Sequence, residues 1–290
     1  MIRRKTTVCG RNKDYIEVEI FPFWDVPKVS RRKRYRETTP QQKHLNDKRA
    51  KRFFVRLCEC NFGRDDWFLT LTYEDDLGDI KRAEQDVRNF VRRLKTRAKK
   101  AGGRVEFVNV IERSAKGRIH HHMLVKKSCN LSREEVESCW QLGWAECKPV
   151  FESRKRNLDR LAKYMTKNMQ GTRRWTGSRG LARPMVYVSD TAISRKRYQE
   201  LSLFHEDCVE VREVFQRQYP GYEVVEFENV VNAEYGGNYI SVKLRRVETP
   251  PSARRTPPLT GRQRGKEAGG VQFRGRFEVG DEKVPSAAED

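Results

Sequence analysis

Val105-Glu106-Phe107-Val108-Asn109-Val110-Ile111-Glu112 is followed by the polar Ser114-Ala115-Lys116-Gly117 and then by Ile119-His120-His121-His122-Met123-Leu124-Val125. The two flanking runs are rich in Val, Ile and other strand formers, and the short Gly-containing segment between them reads as the turn of a β-hairpin. Side chains alternate along a strand, so His120 and His122 share one face with Leu124. His121 joins Ile119 and Met123 on the other, as a packed or exposed spacer. A three-residue loop, Ala115-Lys116-Gly117 with Gly117 left-handed, sets Glu112 opposite His120 and Val110 opposite His122. A four-residue loop instead pairs Glu112 with Ile119 and turns the carboxylate away, because a slip of one residue inverts every side chain. In the first register two imidazoles and a carboxylate converge, a natural set of ligands for a divalent cation. The plain alternative is a pair of surface histidines beside a solvated Glu112.

Outward from the hairpin, Trp67-Phe68-Leu69-Thr70-Leu71-Thr72-Tyr73 alternates Thr with apolar residues and predicts a strand buried on one face. A helix is expected to open at Thr39-Pro40 and run towards Asn61. A second helix spans 79–101, with Ile80, Ala83, Val87, Phe90, Val91 and Leu94 at spacings of three and four. Downstream, the patterns predict a short helix over 132–140 with a capping box, a strand over 144–150 and a helix over 157–169. A basic loop over 171–183 follows, then a strand over 185–188, a helix over 193–204, and strands over 222–227 and 239–244. This is a mixed helix-and-strand domain. We divide the chain into 1–62, an N-terminal extension with a basic helix; 63–247, the principal domain; and 248–290, a tail rich in Arg, Gly and Pro whose composition predicts disorder.

The 61 Lys and Arg against 40 Asp and Glu leave a net charge of +21, and they come in blocks such as Arg31-Arg32-Lys33-Arg34. Such a surplus points to a polyanionic partner, nucleic acid first among them. The seven cysteines show no CxxC pair or regular spacing, so neither a disulfide framework nor a Cys-rich zinc module is indicated. No run reaches the ~18 apolar residues of a membrane span, and Met1-Ile2-Arg3-Arg4-Lys5 leads into no apolar signal region. A cytosolic protein with no membrane partner is expected. The chain lacks a GxxxxGK[ST] loop, so no nucleotide cofactor is expected.

On the predicted 157–169 helix, Leu158, Leu161, Ala162, Met165 and Met169 form an apolar stripe, with Tyr164 and Lys167 beside it. A tyrosine at such a boundary is ordinarily packing. Its place in a series changes that: an FLTLTY strand, a Glu followed eight and ten residues later by His-x-His, then Tyr-x-x-Lys. In this series the chain resembles rolling-circle replication initiators of the HUH endonuclease superfamily, in the bacteriophage and plasmid branch. Phe68-Leu69-Thr70-Leu71-Thr72-Tyr73 is similar to the family's first motif, Gly117-Arg118-Ile119-His120-His121-His122-Met123-Leu124 to its second, and Leu161-Ala162-Lys163-Tyr164-Met165-Thr166-Lys167 to its third. The segment from Thr39 through Phe62 is similar to the helix that leads into the first motif in bacteriophage members.

The resemblance implies an α+β fold, a central antiparallel sheet with flanking helices of RRM-like or ferredoxin-like type. It implies Mg²⁺ or Mn²⁺ on Glu112, His120 and His122, Tyr164 as the nucleophile and Lys167 as a charge near tyrosine, phosphate or metal. It departs from the pattern at His121, where a bulky hydrophobe is usual. Positions 160 and 168 are Arg and Asn, which implies a single-tyrosine mechanism rather than a two-tyrosine one. The implied activity is nicking of single-stranded origin DNA to a 5′-phosphotyrosine and a free 3′-OH, with later rejoining, in a bacterial host cytoplasm with host helicase and polymerase. Candidate DNA contacts are Thr70 and Thr72 on the first strand and Arg173, Arg174, Trp175 and Arg179 in the basic loop, with Trp175 either stacking on a base or belonging to an ordinary loop. Competing readings are a non-enzymatic nucleic-acid-binding module of the same topology, a His-His-Glu zinc hydrolase, and a transposase or relaxase of the same superfamily.

Overall fold

A computed structural model of the chain describes residues 1–10, 13–23, 39–75, 78–150, 158–170, 173–205, 208–232 and 236–247. The expected disordered tail, 248–290, lies outside these residues. In chain order the elements are β1 (Ile2–Cys9), β2 (Tyr15–Pro22), α1 (Pro40–Asn61), β3 (Trp67–Tyr73), α2 (Ile80–Lys100), β4 (Phe107–Arg113), β5 (Ile119–Val125), a 3₁₀ turn (Lys127–Cys129), α3 (Arg133–Glu137) and β6 (Gly143–Pro149). They continue with α4 (Leu158–Met165), β7 (Met169–Gln170), β8 (Thr176–Gly177), β9 (Met185–Ser189), α5 (Arg195–Ser202), α6 (Val209–Gln218), β10 (Tyr222–Asn232) and β11 (Gly237–Arg246). The fold is α+β, with antiparallel sheets flanked by helices, as expected.

The described residues form two compact units, one within Met1–Lys33 and Pro184–Asp281, the other within Arg34–Arg183. This grouping differs from the division at 62/63 and 247/248. The physical cause is long-range strand pairing: β1 and β2, expected as an extension, share a five-stranded sheet of order β10-β11-β2-β1-β9 with the strands of the C-terminal half. Ile16, Val18 and Ile20 of β2 and Ile240, Val242 and Leu244 of β11 pack against Leu201 of α5 and Val211 and Phe215 of α6. Helix α6 was also not anticipated from the sequence.

The second unit holds a sheet of order β6-β3-β5-β4-β7, with β8 also paired to β4. Every pairing in it is antiparallel. One face, carrying Leu69, Leu71, Ile111, Ile119 and Met123, packs against Val87, Phe90, Val91 and Leu94 of α2. The other face, carrying Val108, Val110 and Leu124, packs against Phe54, Leu57 and Cys58 of α1 and Leu158, Ala162 and Met165 of α4. Helix starts follow the capping rules: the Thr39 hydroxyl accepts from the Gln42 N–H at 3.2 Å with Pro40 in the first turn, and the Asp79 carboxylate accepts from the Lys81 N–H at 2.9 Å. Ser132 and Glu135 form the expected capping box, although α3 is shorter than 132–140.

The helix expected over 157–169 is shorter, and residue 157 lies outside the described residues. Helix α4 ends at Met165, where the Thr166 hydroxyl donates back to the Ala162 and Lys163 carbonyls at 3.0 and 3.1 Å. Beyond that turn Met169 and Gln170 pair with Glu112 and Ile111 of β4. The sheet edge therefore takes backbone groups that a longer helix would have used, and Met169 is a strand residue rather than part of a helical stripe.

Candidate metal and tyrosine site

The site begins in the β4–β5 turn. Ser114 donates its N–H to the Arg118 carbonyl at 2.9 Å, which leaves Ala115-Lys116-Gly117 as a three-residue loop, and Gly117 has φ of +84°. A side chain would be strained at that φ, so glycine fits the turn. The register that follows pairs Glu112 with His120 and Val110 with His122, the convergent alternative of the two. Donor atoms of Glu112, His120 and His122 lie within 4.8 Å of one another. The Glu112 Oε2 is 2.7 Å from His122 Nε2 and 3.6 Å from His120 Nε2.

Burial is graded across the three. Glu112 and His122 are buried, whereas His120 keeps part of its ring accessible. Burial holds the His122 imidazole below its ordinary range, opposed by the neighbouring Glu112 carboxylate. A neutral imidazole with a free nitrogen lone pair is the form that ligates a metal. His122 Nδ1 faces the Thr70 hydroxyl at 3.5 Å, and Phe68 stacks on the ring at 5.8 Å between centroids. These contacts orient the imidazole from behind, as oxygen partners do around metal-bound histidines. The donor set of two imidazoles and one carboxylate on rigid strands suits a divalent cation.

His121 faces the opposite way and is fully buried. Its Nε2 lies 3.0 Å from the Tyr73 hydroxyl, and the Trp140 ring meets it edge-on at 5.7 Å. Burial first, then the adjacent histidines, pushes its pKa down to about 3. A polar ring is tolerated where the family pattern has a hydrophobe because Tyr73 supplies a hydrogen-bond partner within the α2-side core.

Tyr164 stands on α4 with its ring 5.1 Å from that of His122. It is 51% exposed, so its hydroxyl is open to a partner from solution while its ring rests on the ligand layer. Lys167 is exposed and lies in the turn after α4 rather than on the helix; its N–H donates to the Tyr164 carbonyl at 3.1 Å. The pairing of Met169 with Glu112 ties this segment to the strand that supplies the carboxylate.

The candidate DNA contacts fall into different environments. Thr70 stands behind His122, and Thr72 is the β3 partner of His120. In the loop, Arg173 and Arg179 are exposed. Arg174 is engaged with the Asp47 carboxylate at 2.6 and 3.0 Å. Trp175 is packed rather than free: its ring stacks on Phe53 at 6.2 Å and meets Phe54 at 5.4 Å. The aromatic ring that sequence reasoning missed is Trp144 of β6, 78% exposed. It pairs with Thr72, which pairs with His120, which pairs with Glu112, so one row across four strands carries Trp144 and two ligands on one face. Gly143 lets β6 start there, because a Cβ would lie 2.4 Å from the Glu74 nitrogen and 2.5 Å from the Thr72 carbonyl oxygen. The signal available in sequence was Gly-Trp at the head of a weakly apolar strand.

No helix among the described residues is long and apolar enough to cross a membrane. No curated protein and no solved structure matches the chain. A family model does match, over a span that opens one residue before β3, includes Glu112, His120, His122 and Tyr164, and closes at Met169. Over residues 66–169 the chain is thus identified with the family described as Replication-associated protein ORF2, in keeping with its resemblance to rolling-circle replication initiators.

Proposed function

We propose that the protein is a metal-dependent, single-tyrosine endonuclease and strand transferase that nicks single-stranded origin DNA to start rolling-circle replication. The observation that carries this is the register of the β4–β5 hairpin, which gathers Glu112, His120 and His122 on the face where Tyr164 rests on His122. A non-enzymatic binding module would have no use for that convergence.

Glu112, His120 and His122 would hold Mg²⁺ or Mn²⁺, which when bound supplies positive charge to a scissile phosphate. Tyr164, half in solvent, attacks the phosphorus through its hydroxyl oxygen. A new P–O bond to tyrosine forms as the bond from phosphorus to the 3′ oxygen breaks; the phenolic proton is released and the leaving oxygen takes one up as a 3′-OH. The products are a 5′-phosphotyrosine and a free 3′ end, and one phosphodiester has replaced another, so no nucleotide is consumed. Attack by a 3′-OH on the phosphotyrosine reverses the step and rejoins the strand. Lys167, close in sequence and exposed, offers a cation for the phosphate. Trp144 offers a face on which a base next to the scissile phosphate stacks. Host polymerase extends the free 3′ end and a host helicase opens the duplex, in a bacterial cytoplasm.

The test is incubation of the full chain with labelled circular single-stranded DNA and Mn²⁺ or EDTA, followed by a denaturing protein gel. Label travelling with wild-type protein only when metal is present, and absent with Tyr164→Phe, is the expected outcome. Equal label on the Phe variant would remove Tyr164 from this role, and binding without cleavage would favour the non-enzymatic module.

A further inference from the structure

The sheet face opposite the triad carries a second feature that nicking does not use. Beside α2, along β4 and the start of β8, lies a groove of about 890 Å³. Asn109 of β4 lines it and is 1% exposed, yet neither its amide nitrogen nor its amide oxygen has a hydrogen-bond partner. A buried amide without partners is costly, and such a group in a native structure calls for one. Asn109 pairs with Met123, so it points to the face of His121 rather than that of His120 and His122.

The wall of the groove is cationic. Arg88, Arg92, Lys95 and Lys99 of α2 line it at spacings of four, three and four, a single helical stripe, and Arg173 stands at the sheet-edge end. All five are exposed, and none forms an ion pair with a described residue. Glu84 is the one carboxylate in the lining. At 1.5 Å per residue, positions 88 to 99 span about 16 Å, room for roughly four phosphates at the 3.4 Å spacing of a single strand in B-form DNA. Below the cations the floor is apolar, with Phe107 and Ile111 flanking Asn109 along β4. Phosphates outside, an apolar slot inside and one amide offering a donor beside an acceptor together describe a nucleotide site: asparagine pairs bidentately with the N6 and N7 edge of adenine.

We propose that this groove binds single-stranded DNA at a second site, distinct from the scissile phosphate, with its backbone on the α2 stripe and one base turned in against Asn109. The proposal rests on DNA being the protein's substrate but not on the identity of the nucleophile. It would hold the strand on one face of the sheet while chemistry proceeds on the other.

Fluorescein-labelled dA20 and dT20 titrated with the full chain over a range of salt test it by anisotropy. The double variant Arg92→Ala/Lys95→Ala removes two phosphate contacts, so affinity should fall about tenfold at physiological salt and the slope of log K against log salt should shrink by about 1.4. Wild type should prefer dA20 by roughly fivefold or more, and Asn109→Leu should abolish that preference. Unchanged affinity and slope in the double variant would overturn the site; retained adenine preference in Asn109→Leu would overturn the base contact. Should either variant fold poorly, acetylation of Lys95 and Lys99 in the wild-type chain reads the same surface: bound dA20 should protect both at least severalfold, and no protection would overturn the proposal. The Mn²⁺-dependent covalent adduct, scored in parallel, separates the two readings. Groove-dependent binding without adduct sinks only the nicking reaction, and adduct with groove-independent binding sinks only the second site.

Discussion

Replacing Gly117 with Ala strains the turn that sets the register of the whole site. The residue sits at φ of +84°, and a Cβ there meets no atom within 4 Å. The penalty is therefore backbone strain alone, about 1–2 kcal/mol for an L-residue in the left-handed region. The chain could escape it by lengthening the loop and slipping β5 by one residue. That slip would turn Ile119, Met123 and Val125, all buried in the α2-side core, to the other face, and would send His120 and His122 into apolar surroundings. Losing three such side chains from the core is worth about 5–8 kcal/mol at 1.5–3 kcal/mol each. Strain loses that contest, so Gly117→Ala should keep the register and be less stable by about 1–2 kcal/mol, a fall in Tm of roughly 2–8 °C. Thermal unfolding followed by tryptophan fluorescence gives the stability, and calorimetric titration with Mn²⁺ gives the site. Intact Mn²⁺ binding with lowered stability is expected. Loss of Mn²⁺ binding in a variant as stable as wild type would refute the ranking of these two energies.

Trp144→Ala should change stability by less than about 0.5 kcal/mol, because the ring is largely in solvent, while weakening binding of single-stranded DNA by roughly 5- to 150-fold, the worth of one stacked base; anisotropy and thermal melting separate the two. His121 makes stability depend on pH in a definite direction. Its folded pKa of about 3 lies below the unfolded value, so below about pH 6.5 the unfolded chain binds the extra proton and stability is lost as pH falls towards 3. The slope assignable to this residue is about 1.4 kcal/mol per pH unit between roughly pH 6 and 4, and denaturant titrations of His121→Gln should show that portion missing. Thr70→Val removes the oxygen facing His122 Nδ1 and should lower Mn²⁺ affinity by about tenfold, whereas Thr70→Ser should restore most of it; equal affinity in all three proteins would dissociate the hydroxyl from the ligand.

The triad was legible in the sequence because everything that determines it is local. Alternation along residues 119–125 and a glycine at a fixed offset define both the face and the register, and no distant part of the chain is needed. The same holds for α1 and α2, whose caps and apolar spacing lie within their own residues. What could not be read depends on partners far away in sequence. Strand β1 runs Ile-Arg-Arg-Lys-Thr-Thr-Val-Cys, with a polar middle that gives no clear period, and it becomes a strand by pairing with β2 on one side and β9 on the other. The end of α4 is another such case, since only the free edge of β4 shows why residues 169 and 170 leave the helix. Trp175 and Trp144 exchange roles for the same reason. A tryptophan in a basic loop and a tryptophan at the head of a strand look alike until Phe53 and Phe54 cover the first and the second is left on the row of His120.

The site also divides its labour between rigidity and access. Glu112 and His122 are buried on central strands whose backbone is paired on both sides, so their geometry is fixed before any ion or substrate arrives. Tyr164 has the opposite need, because its hydroxyl must reach a phosphate from solution, and half of it is exposed on a two-turn helix. A helix of eight residues has little stability of its own, so the tyrosine's position has to come from elsewhere. It comes from two anchors: Leu158, Ala162 and Met165 pressed onto the sheet, and the return of the chain at Met169 to pair with Glu112 itself. The strand that presents the carboxylate thus also fixes where the nucleophile's segment ends. A disturbance of β7 is therefore expected to move Tyr164 relative to the triad while leaving the triad's own register, set on the other side of β4 by β5, in place.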